Sequence, residues 1–190
     1  MLDTTLTNRR MTRFLGRDSV WLFGYGSILY KTGFDCLEQR PATLHGWARR
    51  FWQGSHDHRG TPEAPGRVVT LVREPGARCA GLALRIRPDT LEALDVREKN
   101  GYLREAVELE LDDGGRAEAV TYIAPPGNGA WLGPAPEPLI ARQIADAVGP
   151  SGPNRDYLLG LAASLRMLGA DDPHVFALES ALLALPAPAA

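Results

Sequence analysis

Two glycines flank a tyrosine in Phe23-Gly24-Tyr25-Gly26-Ser27-Ile28, and this is the strongest chemical signal in the chain. Glycines let a backbone approach a ligand closely, and consecutive N–H groups in such a turn form a nest suited to an anion or an oxyanion. The segment is not a dinucleotide fingerprint, because Leu29 holds the third glycine's place. Nor is it a nucleophile elbow or a phosphate P-loop, since G-x-S-x-G and a Gly-Lys-Ser/Thr ending are both missing. Taken alone, a glycine-rich turn reads only as a turn.

Other residue types invite chemistry less strongly. Glu98 lies where a helix ends before Asn100-Gly101, and mixed charge at a helix end reads as a solvated face. His56, Asp57 and His58 are good ligand types for zinc or iron, but His-x-His on a loop needs a third ligand. Spacing pairs neither His45 nor His174 with them, so no metal is expected. Ser27 as a hydrolase nucleophile lacks an accompanying elbow or oxyanion motif. Arg49, Arg50 and Arg59 read as structural or carboxylate-pairing, and a substrate carboxylate is one partner they could take.

The elements that must position these groups change character along the chain. Residues 1–19 are polar, rich in threonine and arginine, and without sustained period; they read as a poorly ordered extension with one helical turn near Phe14. A buried strand over 20–23 leads directly into the glycine turn. Over 43–52 large apolar residues fall on both faces, which predicts a strand covered on both sides. Residues 53–66, polar with three glycines and two prolines, predict a long loop.

Further strands are predicted over 67–72, 79–86 and 107–111, the last forming a hairpin with 118–123. Between them Pro88 and Asp89 open a helix whose apolar face is Leu91, Leu94 and Val96. After a proline- and glycine-rich loop over 124–136 the period becomes helical. One helix carries Ile140, Ile144 and Val148; a second, capped by Asn154 and ended by Gly169, carries Leu158, Leu161, Leu165 and Leu168. A third begins at Asp172-Pro173 and carries Val175, Leu178 and Leu182, before a frayed tail over 186–190. Strands first and helices later predict an α+β domain over 20–190: a small mixed-sheet partial barrel packed with helices, its last third helical.

Composition narrows the function class. At 190 residues, 44% of them apolar, one domain with a proper core is expected. Twenty-one basic and 23 acidic residues nearly cancel, which argues against nucleic acid or an acidic membrane surface as partner. Cys36 and Cys79 are too few for a disulfide scaffold, and no signal or membrane span is legible, so a cytoplasmic protein is expected.

Five separated segments in one order carry a resemblance: WLFGYGSI from Trp21, RRFWQGSHDHRGTPEAPGRVVTL from Arg49, DVREKNGY from Asp95, WLGPAP from Trp131 and GPSGPNRDYL from Gly149. The chain resembles the ChaC-type γ-glutamyl cyclotransferases. That resemblance implies a barrel-like mixed fold, no cofactor or metal, and cleavage of glutathione to 5-oxoproline and cysteinylglycine. It also implies that Leu22, Phe23, Gly24, Tyr25, Gly26, Ser27 and Ile28 form the substrate loop and that Glu98 is the acid/base. Ile28 stands where the loop usually has leucine, and Asn100 where glycine is usual. Other γ-glutamyl amines or amino acids as substrates, or glutathione binding without turnover, are the alternative readings.

Overall fold

The computed structural model describes residues 3–14 and 16–186. Strands β1 (Val20–Gly24), β2 (Glu38–Ser55), β3 (Gly66–Ile86), β4 (Leu103–Leu111) and β5 (Arg116–Ile123) form a closed barrel in the order β1-β3-β2-β4-β5. The expected partial barrel therefore closes fully. Closure comes from a parallel pairing of β1 with β5, Trp21 opposite Ala119 and Leu22 opposite Val120, in an otherwise antiparallel ring.

The wall is dominated by β2 and β3, which pair from Glu38↔Arg85 to Ser55↔Gly66. The two strands predicted at 67–72 and 79–86 are one. A register shift between His45 and Trp47 accommodates the Glu74-Pro75-Gly76 stretch, with Gly46 and Gly76 both at positive φ, and the ladder resumes beyond it. The loop predicted over 53–66 shortens to 56–65, because Gln53, Gly54 and Ser55 still pair with β3. Both faces of β2 are indeed used. Leu44, Ala48 and Phe51 are core residues, whereas Trp47 lies under the Arg73 guanidinium at 4.0 Å and Trp52 meets Trp131 edge-on.

Two hydrophobic clusters share the barrel wall. One joins Phe23, Leu44, Phe51, Leu71 and Leu109 to three helices: α3 (Glu137–Asp146), α4 (Asn154–Met167) and α5 (Pro173–Leu183). Leu158, Leu161 and Leu165 of α4 are fully buried there, each contributing roughly 1.5–3 kcal/mol by leaving water. The other cluster packs Leu91 and Leu94 of α2 (Thr90–Arg97) on Leu22, Leu84 and Ile86.

Several helix ends depart from expectation. Val148 is 57% exposed, because α3 stops at Asp146 and Val148–Gly149 pairs with Gly152–Pro153 as a short hairpin (β6 and β7). Val96 is also exposed, and Asp89 makes no side-chain cap. Asn154 is not a cap either. Buried inside the first turn of α4, it accepts from the Arg67 N–H (2.7 Å) and donates to the Arg67 carbonyl (2.9 Å), tying the helix to β3. By contrast, Asp172 accepts from the Val175 N–H, and Gly169, at positive φ, ends α4.

The described residues before β1 make specific contacts with the barrel. Its helix α1 lies at Thr5–Arg9, not near Phe14. Thr4 Oγ1 donates to the Tyr102 carbonyl (2.7 Å), Asn8 bonds to Tyr102 and Arg104, and Phe14 is buried in the second cluster. Of the predicted frayed tail, residues 187–190 lie outside the described ones.

Candidate active site

The site begins with an anchored helix. Asp95, on α2, is fully buried and binds Arg104 of β4 through both carboxylate oxygens, at 2.7 and 2.6 Å. The Tyr122 hydroxyl donates to the same carboxylate at 2.8 Å. A buried pair of this kind holds only when its hydrogen bonds are complete, and here it fixes α2 against the barrel. The helix ends at Glu98, whose N–H still reaches the Leu94 carbonyl at 2.8 Å. Gly101, at φ +86°, then turns the chain back into β4; a side chain there would strike Asn128.

The Glu98 side chain is only 19% exposed, and Arg97 Nε lies 3.3 Å from its Oε1. Burial pushes the Glu98 carboxyl above the usual glutamate range, against the attraction of Arg97 and His58 for its charged form. A carboxyl of this kind is poised to exchange protons nearer neutrality.

The glycine turn faces it. A 3₁₀ turn, Ser27–Leu29, follows β1, and Arg97 reaches across to it: Nη2 donates to Ser27 Oγ (2.9 Å) and the Lys31 carbonyl (3.1 Å), Nη1 to the Thr32 carbonyl (2.7 Å). From the other side, buried Arg49 donates to the Tyr25 carbonyl (2.7 Å) and pairs with Asp172. The backbone N–H groups of Gly26 and Ser27 meet no backbone acceptor among the described residues. Neither glycine of the motif has positive φ. They are needed for space: a Cβ on Gly24 would sit 2.6 Å from Ile28 Cγ2, and one on Gly26 would sit 2.9 Å from the Tyr157 hydroxyl.

An inner cavity lies between these walls, lined by Phe23, Tyr25, Gly26, Ser27, Ile28, Val69, Glu98, Tyr102, Tyr122 and Tyr157. It shares Ser27, Glu98, Tyr102 and Tyr157 with an outer cleft of about 290 Å³, whose lining adds Lys31, Asp57, His58, Arg59, Arg97 and Asn100. Of the seven loop residues expected from the sequence, Leu22 and Gly24 line neither space. Leu22 is core, packed with Leu84 and Val120, since strand alternation turns it away from the cavity.

Sequence reasoning named Tyr25 but missed Tyr102 and Tyr157. Tyr25 donates to the Tyr122 carbonyl (2.6 Å) and Tyr102 to the Val69 carbonyl (2.6 Å), while Tyr157 accepts from the Val69 N–H. Burial pushes all three phenols well above 10, so they act as neutral hydrogen-bonding groups. Tyr102 closes one of the segments that carry the resemblance and Tyr157 stands next to last in another, the one signal that could have marked them. Ser27 bonds to Arg97, not to a histidine, so no triad forms around it. Among the described residues no group of three His, Cys, Asp or Glu side chains converges on a point that could hold a metal ion.

Comparison with known proteins matches this arrangement to one group. A family model described as ChaC-like protein matches residues 20–184. The chain is 46% identical over 169 residues to Gamma-glutamylcyclotransferase 2-3 of Arabidopsis thaliana, covering 83% of this chain and 85% of that one. It is 42% identical over 179 residues to Glutathione-specific gamma-glutamylcyclotransferase 1 of Danio rerio, covering 89% and 91%. A crystal structure of a yeast γ-glutamyl cyclotransferase specific to glutathione superposes with a TM-score of 0.82 at 30% identity, over 88% of this chain and 96% of that one.

Proposed function

The chain belongs to the ChaC-like protein family, and from that membership we infer that it is a glutathione-specific γ-glutamyl cyclotransferase. It is an enzyme of the lyase class that takes glutathione to 5-oxoproline and cysteinylglycine. The observation that supports its site most directly is one cavity shared by the 25–28 turn and a carboxyl, Glu98, whose pKa is raised by burial.

The nucleophile is already in the substrate. The α-amine of the γ-glutamyl unit attacks its own γ-carbonyl carbon, forming the lactam C–N bond, and the bond to the cysteinyl nitrogen breaks. Of the three ammonium protons, one stays on the lactam nitrogen and two finish on the cysteinyl nitrogen. A single carboxylate between the two nitrogens serves both ends, and Glu98 takes that role: it accepts from the attacking amine and returns to the leaving group.

Cyclisation requires a flexible chain held folded, and well-positioned intramolecular attack is worth on the order of 7–11 kcal/mol in the best cases. The turn at Tyr25, Gly26 and Ser27, clamped by Arg49 and Arg97, provides that grip. Its N–H groups receive the α-carboxylate or the developing oxyanion. The buried tyrosines exclude water, which the reaction does not need.

Glutathione is the small-molecule partner, with no nucleic acid or membrane. Among the described residues no helix is long and apolar enough to cross a membrane. A cytoplasmic location fits the two free cysteines, Cys36 exposed and Cys79 buried. The deciding experiment incubates the protein with glutathione and measures 5-oxoproline and cysteinylglycine. Equimolar release of both supports the reading, and binding without release overturns it.

A further inference from the structure

Three arginines in the segment from Arg49 onward were open to a substrate carboxylate, and the structure separates them. Arg49 is buried and committed to Asp172, with further bonds to the Tyr25 and Ala80 carbonyls. Arg50 is committed to Glu74 on the outside of the barrel. Arg97, which also lines the outer cleft, is held by Ser27, two carbonyls and Glu98. Arg59 alone of these four has no carboxylate partner among the described residues. Its Nη1 donates to the Pro153 carbonyl at 3.0 Å, and the Tyr30 hydroxyl lies close to the same guanidinium.

The placement of Arg59 is built in. Its N–H donates to Ser55 Oγ at 2.9 Å, and its guanidinium carbon lies 6.0 Å from the Tyr157 ring centroid. The loop that carries it is pinned from behind: the Ser151 N–H donates to the His58 carbonyl at 2.8 Å, and a Cβ on Gly149 would lie 2.3 Å from that same oxygen. A half-buried guanidinium held this way, with donors unspent, is a preorganised carboxylate receptor. Lys31 on the same cleft adds a second cation.

Position decides which carboxylate. Arg59 lines the outer cleft but not the inner cavity, and Glu98 stands where the two meet. With the γ-glutamyl unit in the inner cavity and the scissile bond at Glu98, the outer cleft receives the leaving dipeptide. We propose that Arg59, assisted by Lys31, binds the C-terminal carboxylate of the leaving peptide and so selects γ-glutamyl substrates whose leaving group ends in an anion. This rests on the cyclotransferase reading above.

The test compares glutathione with its glycyl carboxamide, which keeps every atom needed for cyclisation but lacks the terminal charge. The expected result is a wild-type kcat/KM about 10- to 100-fold higher for glutathione, the range of a charge-assisted hydrogen bond, carried mainly by KM. In Arg59→Gln that preference disappears, because kcat/KM for glutathione falls far more than kcat/KM for the carboxamide; Arg59→Lys keeps part of it. Equal wild-type rates on both substrates, or an equal loss on both in Arg59→Gln, overturns the assignment. Release of 5-oxoproline from neither substrate by the wild type defeats the cyclotransferase reading itself.

Discussion

The Arg97 guanidinium lies 3.3 Å from the carboxylate of its chain neighbour Glu98, yet that carboxyl remains above the ordinary glutamate range because burial outweighs the attraction. Arg97 spends its other donors on Ser27 and the carbonyls of Lys31 and Thr32. One side chain therefore fastens the glycine turn to the helix end that carries Glu98, and limits how far burial can neutralise that carboxyl.

Glu98→Gln keeps the shape of the side chain and removes its proton exchange. Turnover of glutathione should fall at least about 10²- to 10⁴-fold, with binding retained by calorimetry. Stability should move the opposite way. Folding raises the Glu98 pKa, so its contribution is full below the unfolded value and is lost as pH rises through the folded one. The amide variant should therefore melt above the wild type at neutral pH, and the gap should close below about pH 4. Unchanged turnover would remove Glu98 from the mechanism.

Arg97→Gln withdraws the charge that favours ionised Glu98. The carboxyl should rise further, so the acid limb of the kcat/KM profile should move to higher pH, while Arg97→Lys should shift it less. An acid limb that stays in place would show that Arg97 only holds the turn.

Asp95→Ala should cost about 3–5 kcal/mol by leaving Arg104 buried without its partner, read as a lowered denaturation midpoint. Replacing Arg104 by Met in the same chain should recover part of that loss. A change below about 1 kcal/mol in the single variant would mean that α2 is held by its leucines alone.

Gly26→Ala places a methyl 2.9 Å from the Tyr157 hydroxyl and 3.0 Å from Val69 Cγ2. The turn must shift, and a raised KM for glutathione is expected, about tenfold or more. Adding Tyr157→Phe removes the closer clash and should restore part of the affinity. Additive losses in the double variant would argue that Tyr157 holds the substrate directly.

By itself, the sequence determined what local chemistry can express. Alternating and helical periods marked the barrel strands and the three late helices, and the separated segments around Phe23, Glu98 and Tyr157 marked one family. Local patterns failed where a residue's partner lies far along the chain. Asn154 looks like a helix cap but is taken by Arg67, 87 residues away in sequence. Thr4 and Asn8, in a segment without period, are tied to Tyr102 and Arg104. Glu98 reads as a surface charge until the Asp95–Arg104 pair draws its helix against the barrel and buries it beside the glycine turn. Only the tertiary structure could decide these, because burial, and with it the raised pKa of Glu98, belongs to the surroundings that the fold assembles and not to the residue or its neighbours in sequence.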